Sequence, residues 1–523
     1  MSKLYPPKPS ASTLARQAGL VALLLVVSAC TTKLDKLPQE PEIKIPEQWQ
    51  TTKEPEIKPV ETPAEPVETE PETEPEPEKP VQNGWLTSFS DEQLLEHVDT
   101  ALNNNPDLWV SATALKSAIE QVTVTGSQLW PNLSAELNNT RVDDKDDGIT
   151  TEIRTVSGTV NISWEADIWG KLSQRKRAAA YSAQAQGELY NAAELSLVAN
   201  VSRAWFNLIT NKLQLDLAEQ RLESFQNTAK LIEENYERGL RSALDVYLSR
   251  TDVQRNISAL SDEKFNYISS LRAFKTLLGE YPDIAMEFEA NLPTLSETVP
   301  AGLPAELLTR RPDVKASQLT YKSRIASAKA ANRDRYPSIS FAGSIGDSRD
   351  QFNKLFENDN MVLTLVSGIT QPLFQAGALR SLEDQAYLDA ESAYATLVKT
   401  TLNAFEEVEN SISREAFLLE QQIAIEEAVK LAQGGLNLAL DRYQSGIENY
   451  TTVLESQRSL FLSKGNEINI RNALLQNRIG IHLALGGDFA TESSRQEIQD
   501  LPSPVKPEPE NQSAEASEDV QAE

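Results

Sequence analysis

One thiol and two imidazoles, Cys30, His97 and His482, are all that 523 residues offer to nucleophilic or metal-binding chemistry. No phosphate-cradling glycine loop, paired-cysteine metal site or nucleophile elbow accompanies them. Carboxylates abound, but on helical segments they line solvated faces far more often than they form acid–base pairs. The chain therefore reads as no enzyme, with no catalytic residues, no metal and no bound cofactor. Cys30 follows the short apolar run Leu20 to Val27, which lies behind Lys3, Lys8 and Arg16. A spanning helix needs roughly 20 apolar residues, so residues 1–29 read as a secretory signal and not as an anchor.

Val27, Ser28 and Ala29 are small enough to enter a peptidase cleft, and with Cys30 they resemble the lipobox of bacterial lipoproteins. That resemblance implies that Cys30 becomes the lipidated first residue of the mature chain. It also places an Asp directly after the cysteine in lipoproteins kept at the inner membrane; here Thr31 and Thr32 follow, which implies the outer membrane. A single cysteine excludes a disulfide framework, although the exported compartment is oxidising.

The formal charge is −28, a balance that argues against nucleic acid as a partner. Much of the acid lies outside the folded body. Pro38 to Pro80 is almost entirely Pro, Glu, Lys, Thr and Val, a composition that cannot bury enough apolar surface to offset the entropy of ordering. Residues 30–82 thus read as a lipidated cysteine on an extended, self-repelling tether. The segment 490–523 reads as a disordered acidic tail.

Between these flanks the chain repeats itself. Pro106-Asp107 recurs as Pro312-Asp313, and Trp130-Pro131 as Tyr336-Pro337, both displaced by 206. Tyr236-Glu237-Arg238-Gly239 matches Tyr443-Gln444-Ser445-Gly446, and Leu278-Gly279 matches Leu485-Gly486, both displaced by 207. A constant offset across four landmarks predicts two tandem structural repeats, 83–290 and 291–489.

Each half reads in one order. A helix, Pro106 to Gln128 or Pro312 to Arg335, ends at an aromatic-proline pair. Two strands follow: Leu133 to Thr140 and Ile153 to Trp164 around an acidic loop VDDKDDG, then Ile339 to Ile345 and Val362 to Thr370. In the second strand Val156, Gly158, Val160, Ile162 and Trp164 alternate with Thr155, Ser157, Thr159, Asn161 and Ser163. A barrel strand between lipid and water reads this way, and so does a half-buried strand of a soluble sandwich.

Long helices come next, about Lys171 to Tyr236 and Leu379 to Tyr443, each roughly 95 Å at 1.5 Å per residue. Leu195, Ala199, Ser202, Phe206, Ile209 and Leu213 recur at coiled-coil spacing, with a second stripe of Leu197, Val201, Leu208 and Leu215 beside them. Phe405, Val408, Ile412, Leu419 and Ile423 mark the equivalent seam. Returning helices, about Ala243 to Leu278 and Tyr450 to Leu485, are shorter, and the helix before the strands nearly makes up the difference.

Four strands cannot close a membrane barrel, since the smallest has eight, and an open sheet leaves amides unpaired in hydrocarbon. If the strands cross a bilayer, several chains must share one barrel, and the helices must extend its wall on one side. This arrangement resembles the TolC-like outer membrane efflux proteins, most closely the lipidated members that serve resistance–nodulation–division pumps. The resemblance rests on the lipobox, LLTRRPDV from Leu307, DIWGKL from Asp167, PLFQAGAL from Pro372, and the pair YERGLRSALDV and YQSGIENYTTVLESQRSLF. It implies a mixed α+β membrane protein: a homotrimer with a twelve-stranded outer membrane β-barrel, four strands per chain, continued by a periplasmic helical tunnel. It further implies docking to a periplasmic adaptor and, through it, an inner-membrane pump, for export of drugs, toxic compounds or metal ions. A type I secretion conduit and a lipid-tethered coiled-coil scaffold are the rival readings.

The turns at Gly239 and Gly446 lie farthest from the strands, where a periplasmic mouth belongs. Tyr236, Gly239, Tyr443 and Gly446 are the expected adaptor-docking positions; Arg238, Arg241 and Arg442 lie around them. The resemblance also implies acidic rings at the constriction, with Glu448, Asp441, Glu455 and Asp245 as candidates. Glu448 matches the acidic position of the family's Gly-x-acid-Asn-Tyr turn, although a solvated turn carboxylate reads the same way.

Overall fold

The computed structural model describes residues 85–487, apart from 147–148, 241, 296–309, 353–354 and 356–360. The signal, Cys30, the tether, Arg241 and the tail all lie outside the described residues.

A 3₁₀ turn at Trp85–Phe89 leads into α1 (Glu92–Asn104) and α2 (Pro106–Ser127). Asn105 separates the two helices. Its Oδ1 accepts from the N–H of Asp107 at 2.9 Å and of Leu108 at 3.0 Å, while Pro106 has no N–H to satisfy in the first turn. Two strands follow, β1 (Asn132–Asp146) and β2 (Ile149–Ala166), then α3 (Lys171–Glu237) and α4 (Ala243–Leu277). The second half runs α5 (Pro312–Arg333), β3 (Ser338–Arg349), β4 (Val362–Thr370), α6 (Ala378–Gln444) and α7 (Tyr450–Ala484). Helices α2 and α5 have 22 residues each, α3 and α6 have 67 each, and α4 and α7 have 35 each.

The strands form one antiparallel sheet in the order β1-β2-β3-β4. Register places Leu133, Ile162, Gly343 and Leu365 side by side, and likewise Ala135, Val160, Ile345 and Leu363. The apolar members of these rows therefore share one face, while Val362 and Val366 of β4 alternate onto the other. The large side chains of the shared face are exposed, Leu365, Ile369 and Leu133 the most. Across the same rows, Ser134, Asn161, Ser344 and Thr364 line the other face. No described helix is long and apolar enough to cross a membrane.

The strands reach further than their alternation suggests. Val142 to Asp146, expected in an acidic loop, continue β1 against Ile149 to Ile153. Charges of opposite sign hold the extension: Arg141 meets Asp143 at 3.1 Å and Glu152 at 3.4 Å, and Arg154 meets Glu152 at 2.6 Å. Cross-strand pairing thereby offsets the low strand propensity of Asp.

Helix α3 is the central column, packed by α1, α2, α4, α5 and α7. Both expected stripes are accordingly covered: Leu195, Ala199, Ser202, Phe206 and Ile209 on one, Leu197, Val201, Leu208 and Leu215 on the other. On α6, packed chiefly by α5 and α7, Val408 is buried but Leu419 and Ile423 are exposed. Those two residues lie past the stretch of α6 that α5 covers, so the seam they continue is left bare among the described residues. Both histidines sit among aromatic rings: His97 lies 4.8 Å from Trp205, and His482 stacks on Trp85 at 5.0 Å.

Burial, with Arg478 nearby, pushes His482 down to about 4. An unfolded histidine titrates near 6.5, so below that pH the unfolded chain binds a proton that the folded chain refuses. Stability is complete above pH 6.5 and falls as pH drops toward 4, by roughly 3 kcal/mol at the bottom of that window. Thermal unfolding of detergent-solubilised protein should show a lower midpoint at pH 4.5 than at pH 7.5, and His482→Phe should shrink the difference.

Candidate functional site

The two long helices end in the same way. Gly239 has φ 74° and Gly446 φ 75°, a left-handed geometry that a side chain adopts only with strain. The N–H of Leu240 donates to Asn235 O at 2.9 Å and that of Gly239 to Tyr236 O at 2.8 Å; Ile447 donates to Arg442 O at 2.9 Å and Gly446 to Tyr443 O at 3.0 Å. These paired bonds satisfy the orphan carbonyls of both helix ends and reverse the chain. Ser242 then caps α4, its hydroxyl accepting from Asp245 N–H at 3.3 Å.

At both tips the space around the glycine is open. Tyr236 is exposed there, as expected of a docking residue. Leu240, Leu244, Tyr247 and Ile447 are exposed as well, and sequence reasoning passed over them. Tyr443 is different. It is fully buried, packed with Tyr450, Val453, Phe225 and Ile232, and so holds the turn from inside instead of offering a surface. The repeat matched Tyr443 to Tyr236 by position, but only the second tip packs between the hairpins.

The acidic candidates fall into separate roles. Glu448 is half-buried, 3.5 Å from Arg442 Nε, and accepts from Thr452 Oγ1 at 3.1 Å. Asp245 lies in the first turn of α4 and Asp441 is exposed near the end of α6. Glu455 lies 3.3 Å from Arg458. Arg458 leads to a group that sequence reasoning missed: its Nη2 donates to Asp252 Oδ1 at 3.0 Å, and Asp252 is buried. Arg255 reaches the same carboxylate at 3.5 Å. Burial, followed by the Asp252 charge beside it, pushes the Tyr450 phenol well above its usual range. One turn away Gln457 Nε2 donates to Thr228 Oγ1 at 2.8 Å and Ser224 Oγ at 3.1 Å.

Asp252 and Arg458 stand on the returning helices of different hairpins, so their ion pair ties the two hairpins together two to three turns from the tips. The signal for it was in the sequence, because the offset of 207 sets Thr251 and Asp252 level with Arg458 and Ser459. Among the described residues no group of three or more His, Cys, Asp or Glu could hold a metal ion.

An exposed apolar sheet face carried on two 67-residue helices, with bare hairpin tips at the far end, defines the subunit of an outer membrane conduit with a helical extension. The outer membrane efflux protein family model matches residues 97–280 and 303–487, and the chain belongs to that family. It is 29% identical over 418 residues to the toluene efflux pump outer membrane protein TtgF of Pseudomonas putida, covering 79% of this chain and 86% of that protein. It is 28% identical over 408 residues to the cation efflux system protein CusC of Escherichia coli O6:H1, covering 78% and 88%. Among solved structures, CusC superposes with a TM-score of 0.71 at 26% identity, over 79% of this chain and 99% of that one. The Campylobacter jejuni outer membrane channel CmeC shares the fold with a TM-score of 0.74 at 21% identity, over 84% and 98%.

The ion pair between the hairpins can be measured. Asp252→Ala and Arg458→Ala should each lower stability by about 1–2 kcal/mol, less than a fully buried pair because Arg458 is half exposed. A double-mutant cycle by thermal unfolding should show the double variant losing no more than the larger single loss, as expected of one shared contact.

Proposed function

We propose that the chain is the outer membrane component of a tripartite efflux system, a passive conduit made of three copies. Each copy contributes four strands to a twelve-stranded barrel and two hairpins to a periplasmic tunnel, and a lipid on Cys30 anchors the mature N-terminus. The observation that carries the reading is the bare apolar face shared by all four strands of a sheet with two open edges. In hydrocarbon such edges must be paired, and four strands cannot pair them alone. The exposed stripe on α6, with Phe417, Leu419, Ile423 and Leu431, supports the same closure in the helical part. Matched helix lengths in the two halves support two tandem repeats per chain.

On this reading the hairpin tips form the periplasmic mouth. Gly239 and Gly446 leave room for another protein, and Leu240 and Ile447 offer it apolar side chains. The partner is a periplasmic adaptor that links the conduit to an inner-membrane pump, of the resistance–nodulation–division kind. Glu448, with Asp441, Asp245 and Glu455 near it, supplies negative charge at the constriction, and the Asp252–Arg458 pair keeps the hairpins together when the mouth is shut. The relatives named for toluene and for cations support a small-molecule or metal-ion cargo.

Purified protein reconstituted into planar bilayers should conduct ions with a preference for cations, and silence would overturn the conduit. Glu448→Ala should weaken that preference and raise the closed-state current; an unchanged current and selectivity would remove Glu448 from the mouth. Separately, Leu240→Glu and Ile447→Glu should each cut adaptor binding at least tenfold in a pull-down with the cognate adaptor while the oligomer stays intact.

A further inference from the structure

The junction between the two halves of the chain contains a contact whose second half is missing. Where β2 ends, the turn 167–170 leads into α3, and Trp169 in that turn stacks on Tyr336 with ring centroids 5.4 Å apart. Its indole Nε1 donates to Pro337 O at 2.7 Å. Tyr336-Pro337 is the aromatic-proline pair that starts β3, the strand beside β2. A turn that follows one strand thus grips the aromatic-proline pair that precedes its neighbour.

The equivalent turn after β4 is 371–377, and it leads into α6 as 167–170 leads into α3. Gly377 and Gly170 stand at the same place, each with positive φ before the first helical residue. In this turn Leu373 is 92% exposed and Phe374 87%. The turn itself is held firmly. Gln371 Nε2 donates to Arg335 O at 3.1 Å, Ala378 N–H donates to Gln375 O at 2.9 Å, and Ala376 sits in the left-handed region at φ 48°. A rigid frame therefore presents two large apolar side chains with nothing against them. The matching aromatic-proline pair, Trp130-Pro131 before β1, has Trp130 70% exposed.

These two exposed halves lie at opposite edges of one sheet. Because neighbouring strands are antiparallel, β1 starts and β4 ends at the same rim. Joining β4 of one copy to β1 of the next, the closure on which this inference rests, brings 371–377 of the first level with Trp130-Pro131 of the second. We propose that Phe374, with Leu373 beside it, seats on Trp130 of a second copy, repeating between chains the grip that Trp169 makes on Tyr336 within one. The contact is head-to-tail, so it closes only as a ring, and it rivets each seam of the barrel where the sheet passes into the helices.

Paired cysteines test it in the full-length lipidated protein, whose one native thiol is Cys30. The double variant Trp130→Cys with Phe374→Cys, and a second pair Trp130→Cys with Leu373→Cys, are oxidised with copper phenanthroline and run on non-reducing denaturing gels. Loss of the monomer band to covalent dimers and trimers with either pair, and with none of the single variants, is the expected result. Trp169→Cys with Tyr336→Cys serves as the intrachain control for oxidation. Native mass measurement of the same samples reports the oligomer separately. An intact trimer with a positive control and no interchain band from either pair would overturn the contact and leave the rim turn facing lipid. A monomeric mass would overturn the closure itself and the contact with it.

Discussion

Everything in this architecture depends on where the amides of two sheet edges find partners. The sheet of β1 to β4 is complete on its inner pairs and ends in a free edge on either side. In water such edges cost little, because solvent completes the hydrogen bonds. The exposed apolar face argues that this sheet does not stand in water. An unpaired backbone amide in hydrocarbon costs several kcal/mol, and the nine residues of β4 alone would leave about half that number of N–H groups unmet. No rearrangement within the chain repairs this, since the helices that follow each strand pair lead away from the sheet. On the proposed reading, pairing of these edges between copies is the way the strands become stable in a bilayer.

The helices answer a second constraint. A tunnel wall of uniform height needs columns of equal length, and a single chain supplies it with one uninterrupted helix and one stacked pair per half. Helices α3 and α6, each 67 residues, run about 100 Å. The stacks of α2 with α4 and α5 with α7 come within some ten residues of that length, and the turns between the stacked helices take up much of the remainder. Glycines with positive φ, Gly239, Gly279, Gly446 and Gly486, stop four of these helices with the same pair of backbone bonds. The breaks are therefore fixed by backbone geometry and not by loss of apolar contact.

Most of the fold was legible because its determinants are local or periodic. Proline and glycine landmarks set the helix limits to within two residues, and alternation in β2 gave the apolar face directly. The acidic stretch from Val142 to Asp146 was not legible as strand, because its extension depends on Arg141 reaching Glu152 across the two strands, a pairing known only once register is known. Leu419 and Ile423 read as core since their spacing is right, but spacing says nothing about which chain covers them. At the site, exposed Tyr236 and buried Tyr443 share a sequence position in the repeat and differ only in tertiary surroundings. Asp252 was passed over for a related reason: an acid on a long polar helix looks solvated until a cation from another hairpin closes on it.

The location of that ion pair bears on how a shut mouth could open. A seal made of apolar packing alone would cost roughly 25 cal/mol for every Å² exposed on opening, and an opened core of several large side chains would cost far more than a docking partner commonly repays. Close to the tips the packing is mixed. Tyr443 and Tyr450 pack the second turn against Phe225 and Ile232 of α3, and beside that apolar contact Asp252, Arg458, Gln457 and Thr228 tie the hairpins through polar groups that water can satisfy once they part. Arg458 is already half exposed, so its release carries little desolvation change. The net worth of such contacts is on the order of 1 kcal/mol each, small enough for a docking partner to overcome. The apolar contact of Phe225 and Ile232 with the second hairpin is the larger share of what would have to part, and the polar ties beside it set where that parting costs least.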